Sequence, residues 1–131
     1  MTYAQAVAAL TALTVTGVKR AYAYQPRMLG ASDLPALFPT LPTGELAEYS
    51  LTGAAALPRY KVTLMLAFET AAQNQAQPTW DKATTLLDAL QTELVDNALT
   101  VGLDAYRVRL EMVAFSDSFA AWTLICEAEV S

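Results

Sequence analysis

Thirteen carboxylates, one thiol and no histidine make up the reactive inventory of this chain. Without histidine the usual general base, the commonest metal ligand and every Ser-His or Cys-His nucleophile pair are missing. Cys126 alternates onto the apolar side of the last predicted strand, where a thiol reads as a small buried hydrophobe. Glu45 and Glu48 read as solvated surface rather than an acid–base pair. Asp81 and Asp88 flank a helix without the ligand spacing of calcium or magnesium sites, and Asp117 suits a turn. Gly30 and Gly44 are isolated, so no phosphate-cradling loop is present. Lys19 and Arg20 form the only adjacent basic pair, and Tyr22 and Tyr24 read as core rather than a stacking platform. These residues predict no catalytic, cofactor-binding or metal site, and the chain reads as a non-enzyme.

The composition directs attention to surfaces instead. Apolar residues are 54% of the 131 and charged residues only 16%, which leaves few charges to cover the outside and favours an oligomer or a docked subunit. The 8 basic side chains are scattered and outnumbered, giving a net charge of −5; a duplex-binding surface needs them clustered. A single cysteine excludes an internal disulfide. The N-terminus lacks the basic region of a signal peptide, and no apolar run approaches the roughly 18 residues of a membrane span. One domain over residues 1–131 is expected, made in the cytosol or incorporated into a particle assembled there.

The pattern along the chain supplies the elements. Thr2 and Gln5 have capping-box spacing, and Tyr3, Val7, Leu10 and Thr14 predict one helical face that stops at Gly17. Residues 18–25 alternate as a strand, and residues 46–52 as a short edge strand or hairpin arm. Residues 59–69 set Tyr60, Val62, Leu64, Leu66 and Phe68 against Lys61, Thr63, Met65, Ala67 and Glu69. A polar loop, residues 70–78, leads to a helix capped by Thr79, with Trp80, Ala83, Leu87, Leu90 and Leu94 as its buried stripe. Residues 104–115 and 119–130 form a terminal hairpin turning through Ser116, Asp117 and Ser118. With Phe115 facing Phe119, Val108 pairs with Cys126, Leu110 with Leu124, Met112 with Trp122, Arg107 with Glu127 and Glu111 with Thr123. The expected fold is α+β: a two-layer sandwich of a mainly antiparallel sheet with two helices packed on one face.

Two regions are expected to meet partners. Residues 26–57, interrupted by proline and glycine, read as a long loop too apolar for a solvated linker, so Leu34, Leu37, Phe38, Leu41 and Tyr49 are expected at an interface. Removing residues 37–42 should then spare the fold and abolish assembly. On the outward sheet face Met65, Val113 and Ile125 stand among Arg107, Arg109 and other charges, an apolar centre with a charged rim.

This order of elements resembles the tail-terminator proteins of long-tailed bacteriophages. The likeness is carried by the N-terminal amphipathic helix, the passage Asp33-Leu34-Pro35-Ala36-Leu37, the strand from Tyr60 to Phe68, the helix from Trp80 to Leu94, and the terminal hairpin with Tyr106-Arg107 and Trp122. It extends over nearly the whole chain. One departure is Leu37-Phe38-Pro39, where Pro39 and Pro42 interrupt a strand expected to continue. The resemblance implies a structural virion protein forming a homohexameric ring. That ring would cap the tail tube, end tube polymerisation and offer a joining surface to the head-side connector or stopper. Its partners would be itself, the tail tube protein and that connector, with DNA passing through without specific binding, and with no cofactor and no membrane. The alternatives are another head-tail completion or tail-tube subunit, or a monomeric small-ligand or peptide-binding module lined by Tyr22, Tyr24, Phe38 and Tyr49. An enzyme would need convergent carboxylates such as Glu45, Glu48 and Glu69.

Overall fold

Strict alternation of apolar and mixed side chains over residues 57–70 produces the longest central strand. The computed structural model describes residues 2–40, 47–50, 57–70, 76–116 and 119–131. In chain order the elements are α1 (Tyr3–Thr11), β1 (Arg20–Ala21), a 3₁₀ turn (Ala31–Asp33), β2 (Ala36–Pro39), β3 (Ala47–Ser50), β4 (Leu57–Thr70), α2 (Ala76–Asp96), α3 (Ala98–Val101), β5 (Leu103–Ser116) and β6 (Phe119–Val130). The sheet runs β1-β2-β4-β6-β5, with β3 also paired to β4. Among the described residues, only β1 and β2 are parallel. Helices pack on one face, which is the α+β sandwich expected from the sequence.

The main core lies between helices and sheet. Tyr60, Val62, Leu64, Leu66 and Phe68 of β4 meet Leu124, Cys126, Ala128 and Val130 of β6, Ala6 and Leu10 of α1, and Ala83, Leu86, Leu90 and Leu94 of α2. The capping box of α1 forms, with Gln5 N donating to Thr2 Oγ1 at 3.2 Å and Thr2 N to Gln5 Oε1 at 2.8 Å. The helix ends at Thr11, before the β-branched Thr14, Val15 and Thr16, whose stiff side chains suit extended backbone better. Gly17, at φ +96°, lies in the turn that follows, where an added Cβ would come within 3.1 Å of Leu86.

Several expectations are corrected. The strand predicted for residues 18–25 is reduced to Arg20–Ala21, because parallel β2 offers a partner only there. Helix α2 starts at Ala76, with Pro78 in its first turn, where a missing N–H costs nothing. Thr79 is therefore inside the helix rather than its cap. The buried stripe passes through Leu86, leaving Leu87 half-buried and Trp80 62% exposed.

The largest correction concerns residues 26–57, expected to be a long loop seeking a partner. The short edge strand expected at residues 46–52 forms as β3, and the unexpected β2 joins it, both antiparallel along the same edge of β4, with Ala36–Pro39 opposite Ala67–Leu64 and Ala47–Ser50 opposite Tyr60–Leu57. Residues 41–46, between these two strands, lie outside the described residues. All four residues of β2 are buried. The approach to it is tied down by Arg20 Nε to Asp33 Oδ1 at 3.1 Å, Lys19 Nζ to Ser32 O at 2.6 Å, and Thr40 Oγ1 to Gln25 Oε1 at 3.2 Å. Leu37 and Phe38 thus finish their burial within their own chain.

Truncating these side chains should be costly: Leu37→Ala by about 2–5 kcal/mol and Phe38→Ala by about 3–5 kcal/mol, read from urea unfolding. Removing residues 37–42 should abolish the cooperative transition altogether. Gly102→Ala should also destabilise, since Gly102 has φ +76° and an added Cβ would collide with the Ser131 carbonyl.

Candidate interaction surfaces

The hairpin register expected from the sequence forms as predicted. Arg107 pairs with Glu127, Val108 with Cys126, Leu110 with Leu124, Glu111 with Thr123 and Met112 with Trp122. The ends differ: a bulge between Ala114 and Ser116 puts Ser116, not Phe115, opposite Phe119, and a second between Leu103 and Ala105 puts Leu103 opposite Val130. The register fixes which side chains face away from the helices, and that outer face divides into two zones.

One zone is apolar. Ala36, Phe38, Ala67 and Ala121 are buried there, with Tyr22, Leu29, Leu34, Met65, Phe115 and Phe119 packed around them. Phe38 and Phe115 meet edge-to-face at 5.7 Å, and Phe115 lies 6.2 Å from Phe119. Tyr22, Leu29 and Leu34 show that the chain before β2 folds over this end of the sheet.

The other zone is an ion-paired ladder. Arg107 Nε donates to Glu127 Oε2 at 2.8 Å, and Arg109 Nη1 donates to Glu127 Oε1. Arg109 Nε also lies 3.3 Å from Glu111, and Arg59 lies 3.6 Å from Asp104 and 3.7 Å from Glu129. The hydrogen bond from Arg109, joined by that from Arg107, holds the Glu127 carboxyl below the usual carboxylate range, and the same bond raises Arg109. Behind the ladder, burial pushes the Cys126 thiol up to about 12, with the Glu127 charge adding to it. That thiol is the opposite of an activated nucleophile.

The predicted interface residues are accordingly dispersed. Arg107 and Arg109 face solvent, Met65 and Val113 are half-buried beside them, and Leu34 is half-buried over the apolar zone. Ile125, expected at the exposed centre, is 3% exposed, between Met65 and Arg109 in register. Leu37 faces the helices and Phe38 fills the outer cluster. Tyr49 pairs with Pro58 in β3, and Leu41 lies outside the described residues. The alternative aromatic pocket is not gathered either, since Tyr24 is 73% exposed while Phe38 is closed off.

Sequence reasoning missed one polar feature. A register shift between Ala67 and Glu69 brings Glu69 opposite Trp122, on the helix side; bulges commonly re-aim a side chain in this way. At 4% exposure the Glu69 carboxylate accepts from Thr79 Oγ1 and from Lys82 Nζ at 3.2 Å. It thereby ties the first turns of α2 to β4 at one end of a cavity of about 500 Å³, whose other walls include Gly17, Leu34, Pro35, Phe68 and Leu86. Of the other carboxylates an enzyme would need, Glu48 pairs with Arg59 in register and Glu45 lies outside the described residues. Among the described residues no three His, Cys, Asp or Glu side chains gather as a metal site, and no helix is long and apolar enough to cross a membrane.

No protein-family model and no curated protein sequence matches this chain.

The ladder makes a pH prediction. A depressed carboxyl pKa contributes stability that is present above the unfolded-state value and is lost as pH falls through the folded value. In a pH titration followed by NMR, Glu127 should titrate below an ordinary glutamate, and Arg109→Leu should return it toward the usual range while reducing the acid dependence of unfolding.

Proposed function

We propose that this chain is a structural virion protein of the tail-terminator kind, acting by assembly rather than by chemistry. The observation that carries this reading is the one-sided architecture. Helices cover one face of the sheet, while the other presents the ladder of Arg59, Arg107, Arg109, Glu127 and Glu129 beside half-buried Met65 and Val113. Half-buried apolar groups rimmed by oriented charges suit a subunit interface, where charge pairing sets register and orientation. In this reading copies close into a homohexameric ring on the end of the tail tube. The ring blocks further addition of tube subunits and offers its free side to the head connector. An acidic net charge suits a passage through which DNA slides without adhering.

A rival within the same machine, a tube or completion subunit, shares all of this except closure. Native mass spectrometry and negative-stain microscopy of the purified chain at rising concentration separate them. Closed rings of uniform size are expected. Open filaments of indefinite length would instead identify a tube subunit, since heterologous contacts that do not close propagate. A monomer throughout, unchanged when tube subunits are supplied, would end the assembly reading.

A further inference from the structure

The sheet ends at β5, a 14-residue strand whose one neighbour in the strand order, among the described residues, is β6. So long an edge is a template for another strand, and natural chains blunt such edges with proline, bulges or repelling charges. Here there is no proline, and the two bulges sit at the ends, between Leu103 and Ala105 and between Ala114 and Ser116. The run between them is regular. Its outer face carries Arg107, Arg109 and Glu111, all exposed, and its helix-side face carries Val108, Leu110 and Met112. Leu110 and Met112 are each 41% exposed.

Helix α2 leans to the far side of the sheet's strand order. Its Lys82, Thr85 and Leu86 flank is turned toward Gly17, Leu34 and Pro35, on the β1–β2 side. The flank that carries Trp80 and Val95 is left uncovered, each of the two being 62% exposed.

A row of like charges would repel any second copy in every register, but this row does not. Antiparallel self-pairing across a two-fold axis opposes residues that share a face. Centred on Arg109 it sets that residue against itself, and centred on Glu111 it does the same for the carboxylate. Centred on Val108 it opposes Arg107 to Arg109. Centred on Leu110 it places Arg109 opposite Glu111 of the second copy twice over. On the helix side the same register places Leu110 opposite Leu110, and Val108 opposite Met112. Of the four, this is the register in which opposite charges meet with no like-charge pair, and it also covers the exposed apolar side chains.

We propose that β5 pairs with β5 of a second copy, antiparallel and centred on Leu110, to give a two-fold dimer with one continuous sheet. The contact does not rest on the ring reading. A two-fold pair closes after two copies, and any larger closed assembly built on it holds an even number of them.

Analytical ultracentrifugation of the full chain tests this, with Arg109→Glu and Glu111→Arg studied singly and mixed. The unaltered chain should dimerise. Each variant alone should raise the dissociation constant about tenfold or more, since two attractive cross-strand pairs become repulsive. Mixing the two should restore pairing, because every facing pair is again of opposite charge. Oxidised Leu110→Cys should yield a covalent dimer, an outcome independent of the charges should Arg109→Glu fail to fold. A monomer at every concentration, variants of unchanged mass, no recovery on mixing, or no cross-link at position 110 would each overturn the inference. Rings that persist in the charge variants would overturn it while leaving the ring reading intact; dimers that never close into rings would do the reverse.

Discussion

Everything in this fold depends on β4 being buried from both faces and occupied along both edges. Its even-numbered side chains from Tyr60 to Phe68 seat the helices. On the other face Met65 and Ala67 seat the cluster around Phe38 and Phe115. One edge takes β6 over nearly its whole length, and the other takes β2 and then β3. A strand in that position cannot slip, because a one-residue shift would exchange both faces at once. The one irregularity it admits, between Ala67 and Glu69, falls where the carboxylate of Glu69 is needed by α2.

Charge is segregated by layer. Arg59, Arg107 and Arg109 lie on the outer sheet face, each with a carboxylate partner. On the helix layer Asp81, Asp88 and Asp96 are exposed along α2. The net charge of −5 is therefore not spread evenly. The outer face is nearly neutral and patterned, suited to setting orientation in a contact, whereas the crest of α2 is acidic and resists close approach of another acidic surface. In the proposed assembly this asymmetry would favour contact through sheet edges and the outer face over contact through helices.

The sequence by itself determined the fold class, the capping box of α1, the faces of β4 from Tyr60 to Ala67 and the hairpin register between its two bulges. Each of these is a local or nearest-neighbour property: a period of two, a spacing of three, or a short turn joining consecutive strands. It also determined the pairing of Arg107 with Glu127, because the register implies it. Tertiary structure decided the rest. Pro35, Pro39 and Pro42 made residues 26–57 look like a loop, yet β2 is completely buried, because β4 offers it a long-range partner that no local pattern reveals. The same cause reassigns Leu37 and Phe38 from a surface to two cores, and it reduces the strand at residues 18–25 to the two residues that β2 can pair. Ile125 and Glu69 went astray for a related reason: alternation says which face a side chain leaves from, but only the neighbouring strands and a bulge decide whether that face is open to water.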